Sequence, residues 1–156
     1  MESICPNNYM ISSGYGISKY KLVSFDNALI NADISNYNLV RVSSILPAGC
    51  KMAEKIPLKN GSMLLVEYGS ISSNEIGKRL ASAISVAIPQ NLSEAGIIME
   101  YSDFCTAQQA AETAQEMAQI AMENHEIKIK DIICSSMEKV VENSEFITVI
   151  SAVSMW

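Results

Sequence analysis

The chain has 156 residues, of which 49% are hydrophobic and 18% charged, with a formal net charge of −6. That supplies the core of one compact domain, and no repeat, charge block or low-complexity linker divides it. The acidic balance argues against nucleic acid or an anionic membrane surface as partner and favours a cationic or neutral ligand.

The stretch Met1–Pro6 lacks the basic and apolar regions of a signal peptide. Residues 1–20, with Asn7-Asn8 and Ser12-Ser13-Gly14-Tyr15-Gly16, show little periodicity and predict an irregular or edge segment. Gly14 and Gly16 have no third glycine and no expected helix behind them, which excludes a dinucleotide fingerprint. Residues 21–32 and 38–46 are rich in Val, Leu and Ile and flank the polar stretch Asp33–Tyr37, so they predict two strands. Asn60-Gly61 predicts a tight turn.

Ser72-Ser73-Asn74-Glu75 fits a capping box, and Ile76, Leu80, Ala83, Ile84 and Ala87 recur at helical spacing up to Pro89. A helix over residues 74–87 is the expectation. Glu94–Tyr101 predicts a buried strand, and Thr106 a cap for a second helix with Ala110, Ala114, Met117, Ala118, Ala121 and Met122 on its apolar face. Beyond His125, the alternation of Ile127, Ile129, Asp131 and Ile133, then Glu142–Glu145, then the run Phe146–Trp156, predict a closing hairpin. Thr148, Ser151 and Ser154 interrupt that last run, which is much shorter than the roughly 20 residues of a membrane helix. The sum is an α/β chain with two helices and mostly antiparallel strands.

Cys5, Cys50, Cys105 and Cys134 are far apart and form no C-x-x-C pair, a pattern that suits neither a zinc site nor a disulfide framework. Reduced thiols in a cytoplasm are the expectation. His125, the sole histidine, has no serine or cysteine near it in sequence to suggest a triad and reads as a surface residue at a helix end. Asn91-Leu92-Ser93 matches a glycosylation acceptor, for which an intracellular protein has no use.

Chemistry is concentrated at Ser43-Ser44, two small hydroxyl residues inside the apolar run Asn38–Pro47, where a strand favours bulky side chains. One reading is a serine step at a strand end, hydrogen-bonded locally before Pro47. The other is a bond that cuts itself: a hydroxyl driven onto the preceding carbonyl converts an amide into an ester, and elimination then leaves a ketone built from Ser44. The blocks Phe25-Asp26 with Ala28–Ala32, Asn38–Pro47, Tyr68-Gly69, Ala83–Pro89 and Gly96–Tyr101 resemble, in order and spacing, the pyruvoyl-dependent arginine decarboxylases. The resemblance spans residues 12–156, departing at Asp33 and Ser35, where the family pattern suggests glycines.

The resemblance implies a four-layer α/β/β/α sandwich, assembled as a trimer with active sites between subunits. It implies scission into residues 1–43 and 44–156, with Ser44 converted to a covalent pyruvoyl group that serves as the cofactor, and L-arginine as the substrate, converted to agmatine and CO2. Asn38, six residues before Ser44, falls on the same face of an unbroken strand and matches the asparagine that assists processing; a turn asparagine is the other reading. Glu100, flanked by Ile97, Ile98, Met99 and Tyr101, suits an acid kept neutral by apolar surroundings and matches the family's proton donor; a solvent-facing strand-end carboxylate is its alternative. Asp26 suits a guanidinium partner and matches the family's substrate pocket, with a turn residue before Asn27 as its alternative. Leu29 would line that pocket, and the Ile45 backbone N–H would anchor the substrate carboxylate. Decarboxylation of another amino acid, and an unprocessed binding or regulatory trimer of the same fold, are the competing functions.

Overall fold

A computed structural model describes residues 4–156; Met1–Ser3, within the stretch read above for a signal peptide, lie outside the described residues. The elements in order are β1 (Asn8–Ser18), α1 (Lys21–Asn31), β2 (Asn38–Arg41), β3 (Ile45–Leu46), β4 (Lys51–Met52), β5 (Met63–Ser73), β6 (Arg79–Pro89), β7 (Gly96–Asp103), α2 (Ala107–Asn124), β8 (Ile129–Val140) and β9 (Phe146–Met155). They build a five-stranded sheet of order β2-β5-β9-β1-β4 and a four-stranded sheet of order β3-β7-β6-β8. Only β1–β4 and β2–β5 pair in parallel. Helix α1 packs on β1 and β9, α2 packs on β6, β7 and β8, and the inner faces meet where Leu65, Val153 and Met155 pack against Ile84, Val86 and Ile98. The result is the α/β/β/α sandwich expected from the sequence.

Several elements differ from their sequence expectations. Residues 8–18 form an interior strand, and residues 21–31 form a helix instead of a strand. No side chain caps α1 and its first turn carries no acid, so tertiary packing stabilises it. Gly14 and Gly16 make that packing possible: a methyl group at Gly14 would lie 2.7 Å from the Ala28 carbonyl oxygen and the Ala32 nitrogen. Ser24 Oγ then bonds Thr148 Oγ1 at 2.7 Å and ties the helix to β9.

The helix expected over 74–87 is strand β6. Every residue from Leu80 to Ala87 is buried, because both faces of β6 are covered, and continuous burial removes the period that separates strand from helix. Ala81 and Ala83 meet α2 at Ala110 and Ala114. The Ser72 capping box does not form; Ser73 Oγ accepts from the Glu75 N–H at 3.1 Å in a turn. Thr106 does cap α2, with a complete capping box to Gln109, and Ala110, Ala114, Ala118 and Met122 are its buried face. The closing hairpin is absent: β8 and β9 belong to different sheets, and Glu142–Glu145 carries the chain between them.

The Asp33 departure has a defined geometry. Asp33 adopts φ 61° just beyond α1, its N–H donating to the Ile30 carbonyl at 3.1 Å and the Ile34 N–H to that of Leu29 at 3.0 Å. This is a Schellman motif with aspartate in the left-handed position that favours glycine, and the buried Leu29 and Ile34 share a cluster beneath it. Asp33→Gly is expected to stabilise the fold by roughly 0.5–1 kcal/mol and Asp33→Val to destabilise it by roughly 1–2 kcal/mol, as read by urea unfolding.

Candidate functional site

The run 38–46 is not one strand. Arg41 is the last residue of β2, opposite Val66 in the five-stranded sheet, whereas Ile45 begins β3, opposite Ile97 at the edge of the four-stranded sheet. The chain therefore crosses between the sheets at Val42–Ser44. The crossing is held on both sides: the Val42 N–H donates to the Val66 carbonyl at 3.1 Å, and the Ser44 carbonyl accepts from the Ile98 N–H at 2.8 Å. Between these anchors lies the Ser43–Ser44 peptide bond, with Ser43 exposed and Ser44 half-buried.

Antiparallel ladders bond alternate pairs, so a bonded Ser44–Ile98 pair leaves Ile45 in the non-bonded position. Its N–H accordingly turns to the open edge of β3, as an anion anchor requires. Leu46 of β3 enters the inter-sheet core.

Asn38 does not share a strand face with Ser44, because the strand ends between them. Its Nδ2 donates to the Gly61 carbonyl at 2.9 Å, joining the start of β2 to the Asn60-Gly61 turn before β5. Asp26 is exposed on α1, across the five-stranded sheet from the inter-sheet space. Leu29 is buried in the core beneath α1 and seats the helix.

Glu100 projects between the sheets from β7, on the same face as Ile98 and Ser102. A cleft of about 350 Å³ opens there, lined by Arg41, Gly69, Ser70, Glu100, Tyr101 and Ser102. Arg41 Nη2 lies 4.0 Å from Glu100 Oε1 and donates to the Tyr68 carbonyl at 2.7 Å, while its guanidinium carbon sits 4.6 Å from the Tyr68 ring centre. Burial pushes the Glu100 carboxyl above the usual carboxylate range, with Arg41 opposing. Glu67, only 8% exposed, is pushed up in the same way by burial, lowered by Arg41 and raised again by Glu100. An acid still protonated near neutrality can donate a proton to a substrate carbon.

Arg41 and Gly69 of this cleft, and Glu67 two residues before Gly69 on β5, escaped the sequence reading. Glu67 carries the signal that could have found it, being the one charge in the apolar run Met63–Tyr68. Gly69 matters through its missing side chain: the Glu100 carboxyl occupies the space a Cβ would take, and Ser102 Oγ lies 2.8 Å from that position. Ser102 Oγ in turn donates to Ser82 Oγ at 2.8 Å, and Ser82 Oγ to the Gly69 carbonyl at 2.9 Å. Gly69→Ala is expected to cost roughly 1–3 kcal/mol in urea unfolding by overpacking, and adding Glu100→Ala should recover part of that loss in a double-variant comparison.

Comparison with known proteins extends the assignment to the whole chain. A description of the pyruvoyl-dependent arginine decarboxylase family matches residues 8–156. The pyruvoyl-dependent arginine decarboxylase of Methanocaldococcus jannaschii is 37% identical over 88% of this chain and 83% of its own length. That of Methanococcus aeolicus is 36% identical over 97% and 90%, and pyruvoyl-dependent arginine decarboxylase 1 of Methanosarcina acetivorans is 34% identical over 97% and 96%. A chain that crosses between its sheets at a serine pair, and which aligns almost end to end with these enzymes, belongs to the pyruvoyl-dependent arginine decarboxylase family, with a covalently held pyruvoyl group as its cofactor.

Proposed function

We propose that this chain is a self-processing decarboxylase that converts L-arginine to agmatine and CO2, with the pyruvoyl group made from Ser44. The observation that carries this reading is the Ser43–Ser44 bond suspended between two sheets, two residue steps along β7 from Glu100. Ser44 Oγ adds to the Ser43 carbonyl and the Ser43–Ser44 amide becomes an ester. Elimination releases the Ser43 carboxylate and leaves a dehydroalanine at position 44. Tautomerisation and addition of one water release ammonia and leave the ketone. Asn38 supports scission by fixing β2, the strand that leads into the crossing.

The residues present fit the group. Its amide carbonyl would be that of Ser44, which the Ile98 N–H already holds at 2.8 Å, so the group stays on β3 when the bond before it breaks. Bound there, it supplies an electron sink for carbon–carbon cleavage. The Ile45 N–H holds the substrate carboxylate at the open edge of β3. Glu100, whose carboxyl burial raises above the usual range, gives a proton to the carbon that loses CO2.

Asp26 pairs with the substrate guanidinium, and its position requires a second chain. It is exposed on a helix separated from Glu100 by a whole sheet, beside Leu22 and Ile30, which are 78% and 55% exposed. A homo-oligomer, of which the family trimer is the simplest form, covers that stripe and brings Asp26 to a neighbour's Glu100. The four free cysteines suit assembly in a cytoplasm. The Asp33 departure gives no support to a non-catalytic homologue, because aspartate occupies the left-handed position without breaking the cap.

Purified wild type is expected to run on a denaturing gel as two fragments, 1–43 and 44–156, with mass spectrometry registering loss of ammonia at residue 44. Ser44→Ala is expected to remain intact and to lack turnover; full turnover in that variant would sink the reading. In a panel of arginine, lysine, ornithine and histidine, only arginine is expected to be a good substrate, and Asp26→Ala should raise its KM by about tenfold or more. In mixed oligomers with Ser44→Ala chains, the raised KM of Asp26→Ala should fall back toward the wild-type value, because each chain supplies what the other lacks.

A further inference from the structure

Glu67 is a buried acid that the decarboxylation scheme leaves without a task. Along β5, Leu64, Val66 and Tyr68 pack beneath α1, so Leu65, Glu67 and Gly69 face the other sheet, where Leu65 meets Ile84, Val86 and Ile98. Glu100 approaches from that sheet and lays its carboxyl over Gly69, two residues from Glu67. Arg41 at the end of β2 is the one cation among the described residues that acts on both acids. Beside β5, β9 presents Val153 opposite Glu67 and Ser151 opposite Gly69; on β6 the single charged residue, Arg79, pairs with Glu138.

Two carboxyls thus face one partly exposed guanidinium, Glu67 from a buried position and Glu100 from the rim of the cleft. Ionising both would set like charges near each other against one counter-charge, which disfavours the doubly ionised state. Glu67 is the deeper member, whereas the Glu100 side chain is 29% exposed and reaches the cleft.

We propose that Glu67 is a positioning residue of the decarboxylation site, sharing one proton with Glu100 across the two sheets and extending the pH range over which Glu100 can act as an acid. This rests on the reading of Glu100 as proton donor. Burial raises both carboxyls, and the Glu100 charge raises Glu67 further. A mere packing role for Glu67 would leave the pH range of catalysis unchanged.

The test compares kcat against pH for processed wild type, Glu67→Gln and Glu67→Asp. Glu67→Gln keeps the shape and removes the titration, so kcat on the acid side should match wild type while the basic limb moves to lower pH by about one unit. Glu67→Asp should restore most of that limb, and KM for arginine should change less than about twofold. Coincident profiles for wild type and Glu67→Gln, or a limb that moves to higher pH, would overturn the proposal.

A second readout needs no activity and is made in the uncut Ser44→Ala chain. Both carboxyls are raised in the fold, so their contribution to stability is complete below the ordinary glutamate value and is lost as pH rises through the raised values. The Tm gain from Glu67→Gln should therefore be near zero in acid and grow toward neutral pH, and it should shrink when Glu100→Gln is also present. A gain independent of pH, or unaffected by Glu100→Gln, overturns proton sharing. Inactive wild type would refute the decarboxylase reading, while the Tm series would still decide on the shared proton.

Discussion

The site depends on one constraint: the backbone must leave one sheet and enter the other between Arg41 and Ile45. Four Cα steps reach roughly 14 Å when fully extended, against a sheet separation of roughly 10 Å, so the crossing has little slack. Residues on either side are already committed to ladders, Arg41 with β5 and Ile45 with β7. Serines suit the gap because they are small and because neither sheet needs their side chains for its core. A break inside the crossing leaves β2 paired with β5 and β3 paired with β7, so scission is compatible with an intact fold.

The same crossing assembles the electrostatics. Arg41 sits where β2 stops, and its guanidinium spreads over Tyr68 beyond the end of that strand. Tyr68 is also in contact with Phe25 of α1, ring centres 6.0 Å apart, so the outer helix, the five-stranded sheet and the acid of the four-stranded sheet are linked through two side chains. The ion pair itself is long and partly exposed, which limits its contribution to stability. Its effect is on the acid: burial, the larger influence, raises the Glu100 carboxyl above the usual carboxylate range, and Arg41 opposes it.

Glycine has two distinct tasks in this arrangement. Gly14 and Gly16 let α1 lie directly on β1, which turns Asp26 outward. Gly69 makes room for the Glu100 carboxyl between the sheets. A methyl group at any of them would move a site residue without touching the chemistry. This explains why Tyr68-Gly69 is legible as a block in the sequence although neither residue carries a reactive group.

The fold class, the capped helix α2, the strand at Gly96–Asp103 and the serine pair were legible in the sequence because local rules decide them: a capping box, a period, a turn dipeptide, a residue pair out of place in a strand. Helix α1 and strand β6 were misread because neither carries its own signal; α1 has no side-chain cap and exists by resting on two glycines, and β6 is covered on both faces and so loses its alternation. The break at Val42–Ser44 was invisible for the same reason, since one continuous apolar run serves two sheets. Residue identity together with the family resemblance nominated Ser44, Glu100 and Asp26 as candidates. Only the tertiary structure determined that Glu100 shares a cleft with Arg41 and Gly69, and that Asp26 lies on a helix across a sheet from it, because long-range strand pairing sets which faces meet and no local pattern records it.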